Sequence, residues 1–92
     1  MMSQIPLDLS RVRKEDIDRE ILRVGMIAEL DAINLYEQLA AMAGSSKMRR
    51  MLFDIAKEEK THMGEFQAML LSLDREQAAE LKKGKKEVDD LR

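Results

Sequence analysis

Residues that end a helix are scarce in this sequence, and their scarcity limits the folds open to it. The 92 residues include only one proline, Pro6, and four glycines. The clearest interior cluster of turn-forming residues is Gly44-Ser45-Ser46, since glycine and serine next to each other favour a turn. Aromatic residues make up 3% of the chain, and β-branched residues are sparse, which disfavours strands. The sequence therefore predicts an all-α fold.

Two long helices are predicted, one on each side of Gly44. The first begins near residues 14–16, where acidic side chains suit the positive end of the helix dipole, and it runs to about Met42. The second runs from about Ser46 to Ser72. Because the connection between them is short, we expect an antiparallel hairpin.

A short third helix is predicted after the hairpin. Asp74 has the character of a helix N-cap, and Gln77, three residues later, forms the other half of a capping box. This helix is expected to run to about Lys83, before Gly84. The predicted organisation is a flexible N-terminal segment, one helical domain and a charged C-terminal tail, which cover residues 1–13, 14–83 and 84–92.

Composition excludes several classes of function. The chain has no cysteine, which removes disulfides, zinc-thiolate sites, iron-sulfur clusters and cysteine nucleophiles. The 16 basic and 18 acidic side chains give a net charge of -2, so there is no basic footprint for nucleic acid. No apolar run is long enough to span a membrane or to act as a secretory signal. We therefore expect a cytoplasmic protein with no nucleic-acid or membrane partner.

Each long helix carries a carboxylate in the middle of its apolar stripe. At about 100° per residue, Glu29 shares its face with apolar residues such as Leu22 and Met26. Glu59 is likewise at the centre of the second stripe, and His62 lies one turn further along that face. An unpaired ionised carboxylate in a core is strongly destabilising. Both carboxylates therefore need a partner that neutralises them.

The spacing of these residues from the turn adds an independent constraint. Glu29 precedes Gly44 by the same number of positions by which Glu59 follows it. At about 1.5 Å of rise per residue, both carboxylates stand roughly 20 Å from the turn and at one level of the hairpin. His62, at i+3 from Glu59, projects into the same space. We predict that Glu29, Glu59 and His62 form a cluster.

This cluster is half of a di-metal ligand set. Carboxylate-bridged di-iron and di-manganese four-helix bundles use a Glu from each of two helices and a Glu-x-x-His motif from each of two others. One chain supplies one of each, so we predict that two chains pair about a two-fold axis and complete both the bundle and a site for two ions per dimer. Oxygen-rich ligands with one imidazole favour iron, with manganese as a second choice. Two ferrous ions together can pass two electrons to O₂ or peroxide, which predicts a ferroxidase.

Two runs carry a resemblance to a known family. The run from Ala28 to Glu37, AELDAINLYE, and the run from Glu58 to His62, EEKTH, resemble the two signatures of encapsulated ferritins, the two-helix cargo proteins of encapsulin nanocompartments. The resemblance covers roughly residues 17–81. It implies a ferroxidase centre that forms only between two chains.

The resemblance also implies roles for residues and partners for the chain. Glu29, Glu59 and His62 would be the metal ligands, with Tyr36 close by. Tyr36 is at i+7 from Glu29 and could hydrogen-bond a ligand carboxylate, although an ordinary core position is equally open to it. The family further implies an annular decamer of five dimers and delivery of oxidised iron to an encapsulin shell.

The sequence departs from the family pattern in two places. Some members have an acidic residue just before the ligand Glu, as part of an outer iron-access site, whereas this chain has Ala28 there and keeps Asp31. Stand-alone cargo proteins end in a short apolar targeting peptide, and residues 85–92 do not have that character. Three explanations stay open: a longer native chain, fusion to the capsid protein, or a protein that is not cargo.

The same residues also allow two other functions. A metal-free helical assembly module would pair Glu29 and Glu59 with basic side chains, and a rubrerythrin-like peroxide reductase would usually need a cysteine site. Glu58 and Glu65 are expected to be solvated. Most methionines are expected to fill the core, including Met48 and Met69.

Overall fold

The computed structural model describes residues 8–92, and no strand occurs among them. Two 3-10 turns, Leu9–Arg11 and Lys14–Asp16, precede three helices: α1 (Ile17–Met42), α2 (Ser46–Leu73) and α3 (Arg75–Asp89). The predicted all-α fold is therefore confirmed. Residues 1–7, most of the predicted flexible N-terminal segment, lie outside the described residues. No helix of the described part is both long enough and apolar enough to cross a membrane.

The turn of the α1–α2 hairpin is held by side chains from the start of α2. Ser45 is the N-cap of α2, and its hydroxyl accepts a hydrogen bond of 3.1 Å from the backbone N–H of Met48. The Arg49 guanidinium donates to the backbone carbonyls of Ala40 and Ala43 at 3.4 and 3.2 Å. These contacts satisfy groups that helix ends leave unpaired. The bounds of the hairpin agree with the predicted ones to within a few residues.

The third helix begins where the sequence predicts and ends later. Asp74 is its N-cap and accepts from the backbone N–H of Gln77 at 2.9 Å. The prediction that α3 ends near Lys83 is wrong, because the helix continues through Gly84, whose φ is not positive, to Asp89. Two i,i+4 ion pairs support this last part, Lys85–Asp89 at 2.5 Å and Lys86–Asp90 at 2.8 Å. Such pairs stabilise a helix by a few tenths of a kcal/mol each, and they help to offset the loss of helix stability that a glycine causes. Most of the predicted charged tail is thus helical.

A single chain has almost no closed core. Among the described residues, the buried apolar ones are Ala40, Ala56 and Leu70. Met48 and Met69, predicted as core residues, are 51% and 61% exposed, because a two-helix hairpin has only one shared seam. The radius of gyration is 16.4 Å, whereas a compact domain of this length has about 12 Å. Large apolar side chains are also exposed along α1 and α2, among them Ile21, Leu30, Leu35, Leu39, Met51 and Phe53.

Candidate metal centre

The hairpin places Glu29, Glu59 and His62 side by side. Glu29 is as far from the end of α1 as Glu59 is from the start of α2, so the two reach the same level of the antiparallel pair. One carboxylate oxygen from each Glu and one ring nitrogen of His62 all lie within 4.8 Å of one another. The structure therefore brings the three predicted site residues together.

The histidine ring joins the two carboxylates. Nδ1 of His62 lies 3.3 Å from Oε2 of Glu59 and 3.7 Å from Oε1 of Glu29. The side chains of Glu29 and Glu59 are only 16% and 20% exposed, whereas that of His62 is 47% exposed. The cluster is therefore covered on the carboxylate side and open on the histidine side.

Two carboxyl groups this close cannot both carry a full charge without a cation or a proton between them. A hydrogen bond to Glu59 raises the pKa of Glu29, and burial and the charge of Glu59 raise it further. A hydrogen bond to Glu59 raises the pKa of His62, and the charges of Glu59 and Glu29 add to this effect. Glu29 and His62 thus hold protons more tightly than isolated side chains do.

One oxygen of the cluster has no protein partner. Oε2 of Glu29 is buried, and no hydrogen bond reaches it from the described residues. A buried acceptor without a partner costs about 1–3 kcal/mol, so the position calls for a ligand. Two carboxylates and one imidazole suit iron or manganese, and a bound cation would satisfy this oxygen and replace the protons. The residues present fit such a metal.

An open cavity of about 400 Å³ adjoins the cluster. Its lining consists of Leu22, Glu29, His62, Glu65, Phe66 and Met69. Glu65 is exposed, as predicted, yet it borders the same space as two of the cluster residues. Its position at i+3 from His62 is the signal that could have placed it here. The cavity also includes Phe66, which at i+7 from Glu59 lies on the face of α2 that the sequence predicts to be apolar.

The remaining candidate residues lie further from this chemistry. Tyr36 is half-buried in α1, and no hydrogen bond among the described residues connects it to the cluster. Asp31, considered for an outer iron-access site, is buried with 6% exposure. Glu58 is exposed as predicted. Lys60 and Glu37 form an exposed ion pair of 3.2 Å between α2 and α1, a kind of pair that contributes little to stability.

Comparison with known proteins identifies the fold family. The rubrerythrin family profile matches residues 12–90. The chain belongs to the rubrerythrin family. It is 56% identical over 78 residues to a ferritin-like-encapsulin shell fusion protein of Pyrococcus furiosus, an alignment that covers 85% of this chain and 22% of that protein. The chain thus spans about a fifth of the length of this relative.

A solved structure agrees with the sequence relative. The chain superimposes on the crystal structure of the encapsulated ferritin domain from Pyrococcus furiosus with a TM-score of 0.83 and 47% identity, covering 99% of this chain and 95% of that one. The predicted resemblance to encapsulated ferritins and the ferritin-like fold are both confirmed. The protein therefore has a ferritin-like fold and belongs to a family whose members typically bind a di-iron pair.

Proposed function

We propose that this protein is a ferroxidase that oxidises Fe(II) to Fe(III) at a di-iron site between two copies of the chain. Glu29, Glu59 and His62 of each copy are the ligands. The observation that carries the proposal is the cluster of these three donors within 4.8 Å, at whose edge a buried carboxylate oxygen of Glu29 has no partner among the described residues. A cation bound by the cluster would satisfy this oxygen.

The number of donors supports a site shared by two chains. Ferritin-like di-iron bundles use four carboxylates and two histidines from four helices, and the cluster in one chain of this protein offers two carboxylates and one histidine. The histidine side of the cluster is open, and large apolar side chains of α1 and α2 are exposed. A second hairpin against this side would supply the missing donors and cover apolar surface.

The protein side chains have separate tasks in this proposal. Two iron ions held close together can pass two electrons to O₂ or to peroxide. Glu29 would give up the proton that it holds against Glu59 in the metal-free protein, so that both glutamates present anionic oxygens. In the metal-free protein, Glu59 holds the imidazole of His62 in the cluster through the contact at 3.3 Å, so that Nδ1 faces both carboxylates. Leu22 and Phe66 give the cavity an apolar wall beside the cluster.

The relatives suggest where the oxidised iron goes. One is named as a fusion of a ferritin-like domain with an encapsulin shell, and the other as an encapsulated ferritin domain. We propose that this chain acts in the cytoplasm inside an encapsulin nanocompartment, as an annular decamer of five dimers that supplies ferric iron to the shell for storage. Manganese is the alternative metal for the same ligands.

A second candidate is a rubrerythrin-like peroxide reductase, which the family profile favours. The chain has no cysteine for the electron-donating site that such enzymes usually have. Both functions can use peroxide as the oxidant, so the product distinguishes them. With air or with peroxide, a ferroxidase accumulates Fe(III) in proportion to the Fe(II) added, whereas a peroxide reductase consumes peroxide continuously only while an external electron donor returns its iron to Fe(II). The metal-free assembly module is favoured by the exposed apolar surface alone and predicts no oxidation with either oxidant.

The test of the proposal is Fe(II) oxidation by the metal-free protein in air, followed by ferric absorbance. Alanine at Glu29, Glu59 or His62 is expected to lower the rate at least about 100-fold, since even residues behind the ligands are worth about 10–100-fold in affinity or activity. Glu58→Ala is the matched control, because Glu58 is an exposed glutamate next to Glu59 on the same helix. Its rate should equal that of the wild type.

The assembly is measured alongside the rate. Sedimentation velocity with and without Fe(II) should show that iron favours the larger species, and Glu59→Ala should remove this dependence. A wild-type rate no faster than buffer, or equal rates in all four variants, would refute the proposed site. A size indifferent to iron in an active protein would refute the shared site and leave the ferroxidase activity standing.

A further inference from the structure

A glycine of α1 allows an aromatic ring of α2 to lie against the α1 backbone. A Cβ atom built on Gly25 would lie 2.5 Å from Cε1, 2.7 Å from Cδ1 and 2.8 Å from Cζ of Phe66. Gly64 and Gly84 differ from Gly25, because among the described residues no atom beyond their own helix backbone lies within 4 Å of such a position. Glycine in a helix interior is destabilising relative to alanine, so the contact between Gly25 and Phe66 gives position 25 a physical reason to be glycine.

This contact lies next to the metal cluster on both helices. Gly25 is one turn before Glu29, and Phe66 is one turn after His62. Because α1 and α2 are antiparallel, one turn before Glu29 and one turn after His62 both lead away from the hairpin turn. The contact between Gly25 and Phe66 therefore lies about 5 Å further from the turn than the cluster does. Phe66 also lines the cavity that Glu29 and His62 share.

We infer that Gly25 and Phe66 together set the separation of α1 and α2 at the metal site, so that Gly25 is a positioning residue for Glu29, Glu59 and His62. The inference rests on the proposed function. It assigns to Gly25 a role in metal binding through the placement of Phe66, with no contact between Gly25 and the metal.

The distances show that the site is sensitive to this contact. Carbon atoms in ordinary contact are about 3.5–4.0 Å apart, so a methyl group at 2.5 Å from the ring requires a shift of at least about 1 Å. Metal sites hold their ligand distances to within about 0.2 Å. If the helices separate, Glu29 moves away from Glu59 and His62. If the ring turns away instead, it changes the shape of the cavity that Phe66 lines beside Glu29 and His62.

The experiment compares Co(II) binding by the full-length wild type with that of Gly25→Ala, Gly64→Ala and the double variant Gly25→Ala/Phe66→Leu. Visible absorption of bound Co(II) reports both affinity and ligand geometry. Gly25→Ala should weaken binding about 10-fold or more, as expected for residues that orient ligands, and should change the spectrum. In the double variant, the shorter leucine makes room for the methyl group, so the wild-type spectrum and most of the affinity should return.

Gly64→Ala is the matched control, because Gly64 is close to His62 on the same helix and its added methyl group meets open space. It should bind Co(II) like the wild type and show at least the wild-type melting temperature without metal. Wild-type binding by Gly25→Ala would overturn the inference and leave the proposed function intact. A double variant that folds but regains neither the affinity for Co(II) nor the wild-type spectrum would also overturn the inference, even if Gly25→Ala alone does not fold. Failure of the wild type to bind Co(II) would instead refute the proposed function.

Discussion

Replacing Gly84 by alanine should stabilise the C-terminal half of α3. Gly84 is within the helix, and its φ is not positive. A Cβ there has no atom of residues 8–92 within 4 Å other than the backbone of its own helix. The expected gain is therefore the intrinsic difference between alanine and glycine in an exposed helix, about 0.8–1.0 kcal/mol. At 25 °C this corresponds to a factor of about 4 to 5 in the helix–coil equilibrium of this segment. Exchange of the Val88 and Asp89 amide hydrogens, measured by NMR, should slow by that factor.

The sign of the effect distinguishes two structures of this segment. If the helix ended near Lys83 with Gly84 as a left-handed C-cap, alanine would be strained there, and it would destabilise the helix end. Ala79→Gly provides the calibration, since Ala79 is exposed at a position that sequence and structure both assign to α3. It should speed exchange along α3 by a similar factor. Unchanged or faster exchange in Gly84→Ala, with a normal effect of Ala79→Gly, would show that α3 does not continue through Gly84.

Two further predictions concern buried carboxyl groups. The raised pKa of Glu29 means that its charged form destabilises the metal-free fold at neutral pH. Glu29→Gln should therefore raise the metal-free stability by about 1 kcal/mol and abolish stabilisation by Co(II). A lower melting temperature of the metal-free variant would contradict this. Asp74 has a lowered pKa, because the Gln77 N–H and then Arg23 stabilise its charge. The stability advantage of the wild type over Asp74→Asn should thus be complete at neutral pH. It should disappear as the pH falls below about 3.8 and through the lowered pKa of the folded state, which urea midpoints would show. An advantage that persists at the most acid pH would contradict this prediction.

Spacing along the sequence was sufficient to predict the cluster. Glu29, Glu59 and His62 interrupt apolar stripes at matching distances from one strong turn signal, and a helix has a fixed rise and rotation per residue. Once an antiparallel hairpin is assumed, these distances determine which side chains meet. The same reasoning predicted Asp74 as the N-cap of α3, because a capping box is a local pattern.

Contacts that depend on the distance between the helices could not be predicted in this way. The 2.9 Å ion pair between Arg23 and Asp74 joins residues 51 positions apart, and nothing local in either helix selects that partner. Gly25 is on the predicted apolar face of α1, but only the observed separation of the helices shows that it admits the ring of Phe66. The sequence predicts too short an α3 because glycine commonly ends a helix, whereas the two i,i+4 ion pairs beyond Gly84 favour its continuation.

The equal arms of the hairpin also limit how the length of this chain can vary. A single insertion between Glu29 and Met42 would rotate Glu29 by about 100° and displace it by about 1.5 Å relative to α2. Insertions in both arms would have to match, and would have to be close to whole numbers of helical turns, for the carboxylates to meet again. Residues 43–45 and the exposed end of α3 are free of this requirement. Those two places are where a tag, a longer loop or a fused domain can be added while the ligand geometry is kept.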